Sequence, residues 1–128
     1  MRRHQLLASM IVFGGASLVH FVHNTMYLGA YPNMPVWLTP AGVMAAWLVI
    51  ASTGVFGYWL FSRGAKKVGL VVMALYAALG FAGLDHYAVA PVSAHSLAMS
   101  ATIVTEVVAA SVLLVLLALT ALRSASDP

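Results

Sequence analysis

Long apolar runs separated by short polar punctuation make up the chain. Four runs reach the ~20 helical residues needed to cross a hydrocarbon core of ~30 Å: Leu6 to Leu28, Ala41 to Phe61, Val68 to Val89 and Ser96 to Leu122. The punctuation is of the kind that ends helices. AYPNMPVWLTP, from Ala30 to Pro40, carries Pro32, Asn33, Pro35 and Pro40 and predicts a rigid, turn-rich loop with Pro40 opening the second helix. SRGAKK, from Ser62 to Lys67, predicts a tight turn. AVAPVSAH, from Ala88 to His95, predicts a link with Ser93 as N-cap of the last helix. Lipid offers no partner to an open sheet edge, and four short spans cannot close a barrel. The expected fold is therefore all-α: an integral membrane four-helix up-down bundle, one domain over residues 1–128.

Composition agrees and narrows the classes. Charged residues make up 7% and apolar residues 62%, against roughly 25% and 45–50% in soluble domains. Too little polar surface remains to coat a soluble globule. The absence of cysteine excludes disulfides, thiolate metal ligands and cysteine nucleophiles. Serine-hydrolase, P-loop and dinucleotide signatures are missing, and no basic–aromatic surface for nucleic acid is present. The excess of six Lys and Arg over three acids matters through its placement. Arg2 and Arg3 precede the first span, Arg63, Lys66 and Lys67 lie between the second and third, and Arg123 follows the fourth. The two opposite loops carry no Lys or Arg, so the positive-inside rule predicts N-in/C-in threading through a bacterial inner or plasma membrane. MRRHQLLASMIVFGGAS has the basic start and apolar core of a signal peptide. Its removal would strand the histidines that follow, so a retained span is expected.

With that threading, the ionisable residues gather on the non-cytoplasmic side. His20, His23, Asn24 and Tyr27 lie in the outer half of the first span, Asp85, His86 and Tyr87 at the outer end of the third, and His95 at the outer start of the fourth. Only His4 is on the cytoplasmic side. His20, Asn24 and Tyr27 share one helix face with His23 flanking it, and His95, Met99, Thr102 and Glu106 form a second stripe. At 1.5 Å per residue, Glu106 lies ~16 Å below His95 and His20 ~12 Å below Leu28, so those two share a depth, as His23 does with Thr102. A polar column from the outer face toward mid-membrane results.

Such a column suits a transition metal, Cu or Zn first and then Fe, because neutral imidazole ligates all three. His20, His23, His86 and His95 are the expected ligands, Asp85 and Glu106 are ligands or supporting carboxylates, and Asn24, Tyr27, Tyr87, Met99 and Thr102 line the pocket. One b-type haem between a histidine of the first span and one of the third or fourth is an alternative. A quinone, lipid or proton site is another, with His20 and Glu106 as a relay. A fourth is an accessory subunit without chemistry. Besides membrane lipids, the partners open to so small a bundle are a second copy or a larger membrane complex. Simpler roles stand beside these. Tyr31, Trp37, Tyr87, His86 and His95 suit an aromatic belt at the interface, and a protonated Glu106 bonded to His20 or Tyr27 would merely fix helix packing. Gly14, Gly15, Gly54, Gly57, Gly80 and Gly83 read as close-packing sites between helices.

Overall fold

A computed structural model of the protein describes residues 3–126. Among these there is no strand, and four helical rods are long and apolar enough to cross a membrane: His4–Met26, Pro40–Ser62, Lys66–Val89 and Leu97–Ser124. The helices are α1 (Arg3–Met26), α2 (Pro40–Ser62), α3 (Lys66–Leu79), α4 (Asp85–Val89) and α5 (Leu97–Ser126). Arg2, expected to flank the first span, lies outside the described residues.

Local chemistry sets the ends. At the start of α2 the Thr39 hydroxyl accepts from the Gly42 N–H at 3.1 Å, and Pro40 occupies the first turn, where its missing N–H costs nothing. At the start of α5 the cap is Ser96, whose hydroxyl accepts from the Met99 N–H at 3.2 Å. The expected cap, Ser93, instead falls inside a short 3₁₀ turn, Val92–Ala94, that carries the chain down to His95. Gly64, at φ 95°, ends α2 in the left-handed conformation that glycine adopts without penalty.

The third rod is not one regular helix. Between α3 and α4 the residues Gly80–Leu84 wind as a 3₁₀ helix. Here the rod passes closest to its neighbours. A Cβ on Gly80 would lie 2.6 Å from the Phe13 ring and 2.9 Å from the Ala110 side chain. Among the other glycines expected at contacts, Gly54 lies against Tyr76 and Gly57 against Met73, whereas Gly15 faces open space.

α1 packs on α2 and α5, and α3 packs on the same two, so the rods close a ring. The interior divides into two unequal parts. One end is dry: Leu6, Met10 and Phe13 of α1, Leu70 and Met73 of α3, and Leu113 and Leu117 of α5 form an apolar core. The other end holds only a small apolar cluster of Tyr31, Met99 and Ile103. Buried among and below these are six polar side chains: Ser17, His20, Asn24, His86, His95 and Glu106. Ile11, Val49, Val71 and Val112 point outward, as lipid rather than water allows.

Candidate functional site

At the floor of the polar half, α1 and α5 bring His20 and Glu106 together, with Nε2 3.8 Å from Oε2 and both side chains buried. Thr102 fixes how the imidazole faces. Its hydroxyl donates to the Met99 carbonyl at 2.9 Å, so toward His20 it acts as acceptor, taking the Nδ1–H at 3.3 Å. Nε2 therefore faces the carboxyl with its lone pair free. Ser17, fully buried one turn deeper on α1, lies beside the carboxyl. The Ser17 hydroxyl oxygen and Glu106 Oε2 have no hydrogen-bond partner among the described residues. Gly83 in the 3₁₀ turn completes the floor, since a Cβ there would come within 3.3 Å of Oε2. Beneath, the Phe13 and Tyr76 rings, 4.7 Å apart, close off the dry half.

Above His20 the histidines continue. The His86 ring meets His20 edge-on at 5.5 Å between centroids, and His95 meets His86 in the same way at 6.2 Å. The Asn24 amide donates to His86 Nε2 at 3.3 Å. His95 donates from Nδ1 to the Pro91 carbonyl at 3.1 Å, which leaves its buried Nε2 without a partner among the described residues. Tyr31 stands at the centre of this upper layer. Its ring lies 4.8 Å from His86 and 6.5 Å from His95, and its hydroxyl shares a 2.9 Å hydrogen bond with His23 Nδ1. Burial holds the Tyr31 phenol above the ordinary tyrosine range, so it stays neutral and able to donate. The loop carrying Tyr31 is tied down by Asn33. At φ 56°, Asn33 donates from its amide to the Val89 carbonyl at 2.8 Å, capping the end of α4.

A cavity of about 360 Å³ flanks this column, bounded by α1, α2, the third rod and the Pro-rich loop. Its polar wall is His20, Asn24 and His86; Asn33 and Asp85, both exposed, stand at its outer rim. The remaining wall is apolar, with Phe21, Leu38, Val43 and Leu79 prominent.

Among the expected site residues, His20, Glu106 and Thr102 meet directly, and Asn24 joins His86. The pairing of His23 with Thr102 inferred from depth is not found: Thr102 serves His20, and His23 turns to Tyr31. Tyr27 is half exposed and packs on His23, far from any role with Glu106. Tyr87 meets His95 edge-on at 5.1 Å, and the Met99 sulfur accepts from the Ser96 N–H. Asp85 faces outward at the cavity rim. Tyr31, His86 and His95, which the sequence left open as belt residues, are buried inside the bundle, whereas Trp37 is exposed as a belt residue would be.

No group of three or more His, Asp or Glu side chains among the described residues is arranged to hold one metal ion. His20, His23, His86 and His95 each have one ring nitrogen in a hydrogen bond to a different partner, which leaves the second nitrogen of each outside these bonds. A metal needs several nitrogens ~2.0–2.1 Å from one point.

Two contributors went unrecognised in the sequence. Ser17 was detectable, because Ser17, His20 and Asn24 are spaced three and four apart on one face. Tyr31 was not, because it reaches the column from a loop. Comparison with protein-family models, curated proteins and solved structures gives no match for this chain.

Proposed function

We propose that the protein is a one-sided proton relay of the membrane, a blind column of imidazoles that opens at one face and ends at Glu106. The observation that carries the reading is the run of contacts Glu106–His20–His86–His95 standing on a dry plug. A charge at bilayer depth costs roughly 2.5–3.5 kcal/mol even on lenient scales, so an isolated buried carboxylate there is costly and a paired one is usable. His20 suits the exchange. Its Nδ1–H is held by Thr102, which leaves Nε2 to take a proton from Glu106 or return it. Their 3.8 Å separation exceeds a hydrogen bond by less than about 1 Å, a gap that a small side-chain rotation closes. Handing that proton on to His86, whose ring meets that of His20 edge-on at 5.5 Å, takes a turn of the His20 ring. Below Glu106, Phe13, Met73 and Leu113 are fully buried and apolar, and at that level the Tyr76 phenol, packed on Phe13, is among the described residues the one hydroxyl of the buried core cluster. The relay therefore loads and unloads from one face and does not conduct across the membrane.

The five cations among the described residues, Arg3, Arg63, Lys66, Lys67 and Arg123, lie at the ends of the rods beyond the dry plug. By the positive-inside rule that end faces the cytoplasm, both termini with it. The rods then run up and down, and the column opens to the periplasmic side of a bacterial inner membrane.

A second reading, a transition-metal site for Cu or Zn and then Fe, or a single haem, has one observation in its favour. His95 Nε2 is buried and unpartnered, with the His86 ring 6.2 Å away. Ligation through His86 Nε2 would require Asn24 to release it, whereas ligation through Nδ1 would keep that bond.

Infrared spectroscopy separates the two. The relay predicts a protonated-carboxyl band that titrates with pH, is lost in Glu106→Gln, and changes its titration in His20→Ala. A band indifferent to His20 removes the relay. About one equivalent of bound metal per purified chain, lost in a His86→Ala, His95→Ala double variant, would establish the metal reading instead.

A further inference from the structure

We infer that the cavity beside the column binds the ring of a lipid-soluble quinone or hydroquinone, with its polar oxygens against His20, Asn24 and His86. The inference rests on the relay reading and names the molecule whose oxygens the relay faces. Three features select this chemistry over other membrane-soluble guests.

The first is the charge of the wall. No Lys or Arg lines the cavity, and the carboxylate of Asp85 stands at its rim. Phosphate headgroups and fatty-acid carboxylates call for cationic or charge-assisted partners, so anionic lipids are poorly served. The buried polar groups, His20, Asn24 and His86, are neutral donors and acceptors that suit carbonyl and hydroxyl oxygens. At the rim the second amide hydrogen of Asn33 can serve a quinone carbonyl, and the Asp85 carboxylate can accept from a hydroquinone hydroxyl.

The second is their distribution. His20, Asn24 and His86 occupy the buried side, whereas Asn33 and Asp85 occupy the exposed rim. A molecule with an oxygen at each end of a flat apolar body matches both groups; a sterol or fatty alcohol, with one hydroxyl, leaves one group unmatched. Unmet partners are present already, since the buried Asn24 Oδ1 has none among the described residues. An unpaired buried amide oxygen is costly, and a hydroquinone hydroxyl donating to it would relieve that cost. About 360 Å³ falls within the ~300–1,000 Å³ of ordinary small-molecule sites.

The third is access. Gly42 and Ala46 of α2 and Ala82 of the third rod line the cavity and are exposed on the outside of the bundle. In a chain that spans the membrane this surface meets lipid, so small residues form a side opening through which a guest enters from the bilayer.

The test is binding of a decyl-substituted benzoquinone to the purified full chain in lipid nanodiscs, read by equilibrium partition against empty nanodiscs. Saturable binding of about one quinone per chain is expected. Ala46→Phe narrows the side opening from the lipid face, where it does not disturb the core, and His20→Ala removes a polar partner. Each should weaken binding by about tenfold or more, a change of one decade in Kd, while the remote His4→Ala leaves it intact. Non-saturable uptake, equal uptake by Ala46→Phe and His20→Ala, or equal displacement by decanol overturns the inference. A Glu106 band that still titrates through His20 while no quinone binds would leave the relay standing and remove only its guest. Saturable quinone binding with no His20-dependent titration would remove the relay and keep the site.

Discussion

Thr102 is the residue on which the proposed chemistry turns, although it carries no charge and takes no proton. By spending its hydrogen on the Met99 carbonyl it becomes an acceptor, and it thereby assigns the His20 proton to Nδ1. Replacing the hydroxyl with a methyl of similar size separates that role from simple packing. In Thr102→Val, ¹⁵N NMR of His20 should show the Nδ1–H form giving way to a mixture of tautomers, with a stability loss of ~1 kcal/mol, the usual worth of one hydrogen bond. An unchanged tautomer in the valine variant would mean that something other than Thr102 orients the ring. Ser17 shows how far side-chain placement was readable at this scale. Its spacing with His20 and Asn24 lies in plain view, yet a lone serine in an apolar helix usually bonds its own backbone, as Ser52 and Ser111 do here. Only the fold distinguishes it from them.

At the scale of elements, the decisive feature is the 3₁₀ turn Gly80–Leu84, set where the third rod passes Glu106. Mid-helix 3₁₀ winding frequently marks a functional bend, and here it brings Gly83 against the carboxyl. The two glycines should respond differently to alanine. Gly80→Ala drives a methyl into the Phe13 ring and Ala110, and such overpacking costs ~1–3 kcal/mol, to be seen as a lowered unfolding midpoint in detergent. Gly83→Ala meets only the end of a flexible side chain, so it should fold normally and disturb the Glu106 carboxyl band. Equal losses of stability, with the band untouched, would dissociate the turn from the site. The four spans themselves were legible because hydropathy and length decide them, and their ends fell within a few residues of those expected. Those few residues mattered for depth. With α1 ending at Met26 and α5 starting at Leu97, His20 lies ~9 Å from its helix end, level with Ile103 and beside Thr102, with Glu106 one turn further in. Measuring from Leu28 and His95 had matched Thr102 to His23. The 3₁₀ turn was hidden because a glycine pair in an apolar run reads equally well as a close helix contact. The placement of Tyr31 was hidden because it depends on how a proline loop folds back, which no period encodes.

The molecule as a whole is asymmetric along its length. Among the described residues, an apolar plug fills one half, a layered set of imidazoles with the buried Glu106 carboxyl fills the other, and the cations Arg3, Arg63, Lys66, Lys67 and Arg123 lie beyond the plug. Hydrophobic pattern and charge placement made this polarity readable from the sequence, because both are sums over many residues and tolerate local error. The cavity was not readable, since it depends on three rods and a loop failing to fill the space between them. The central claim is that Glu106 exchanges protons with one face only. It is tested most directly by recording its carboxyl band in vesicles that carry the chain in a single orientation, while pH is stepped on one side at a time. A step on the side of the loop bearing Tyr31 should titrate the band, and the same step on the side of Arg63 and Lys66 should leave it unchanged. Equal response to both sides would contradict the plug, and response only from the cationic side would contradict the direction of the column.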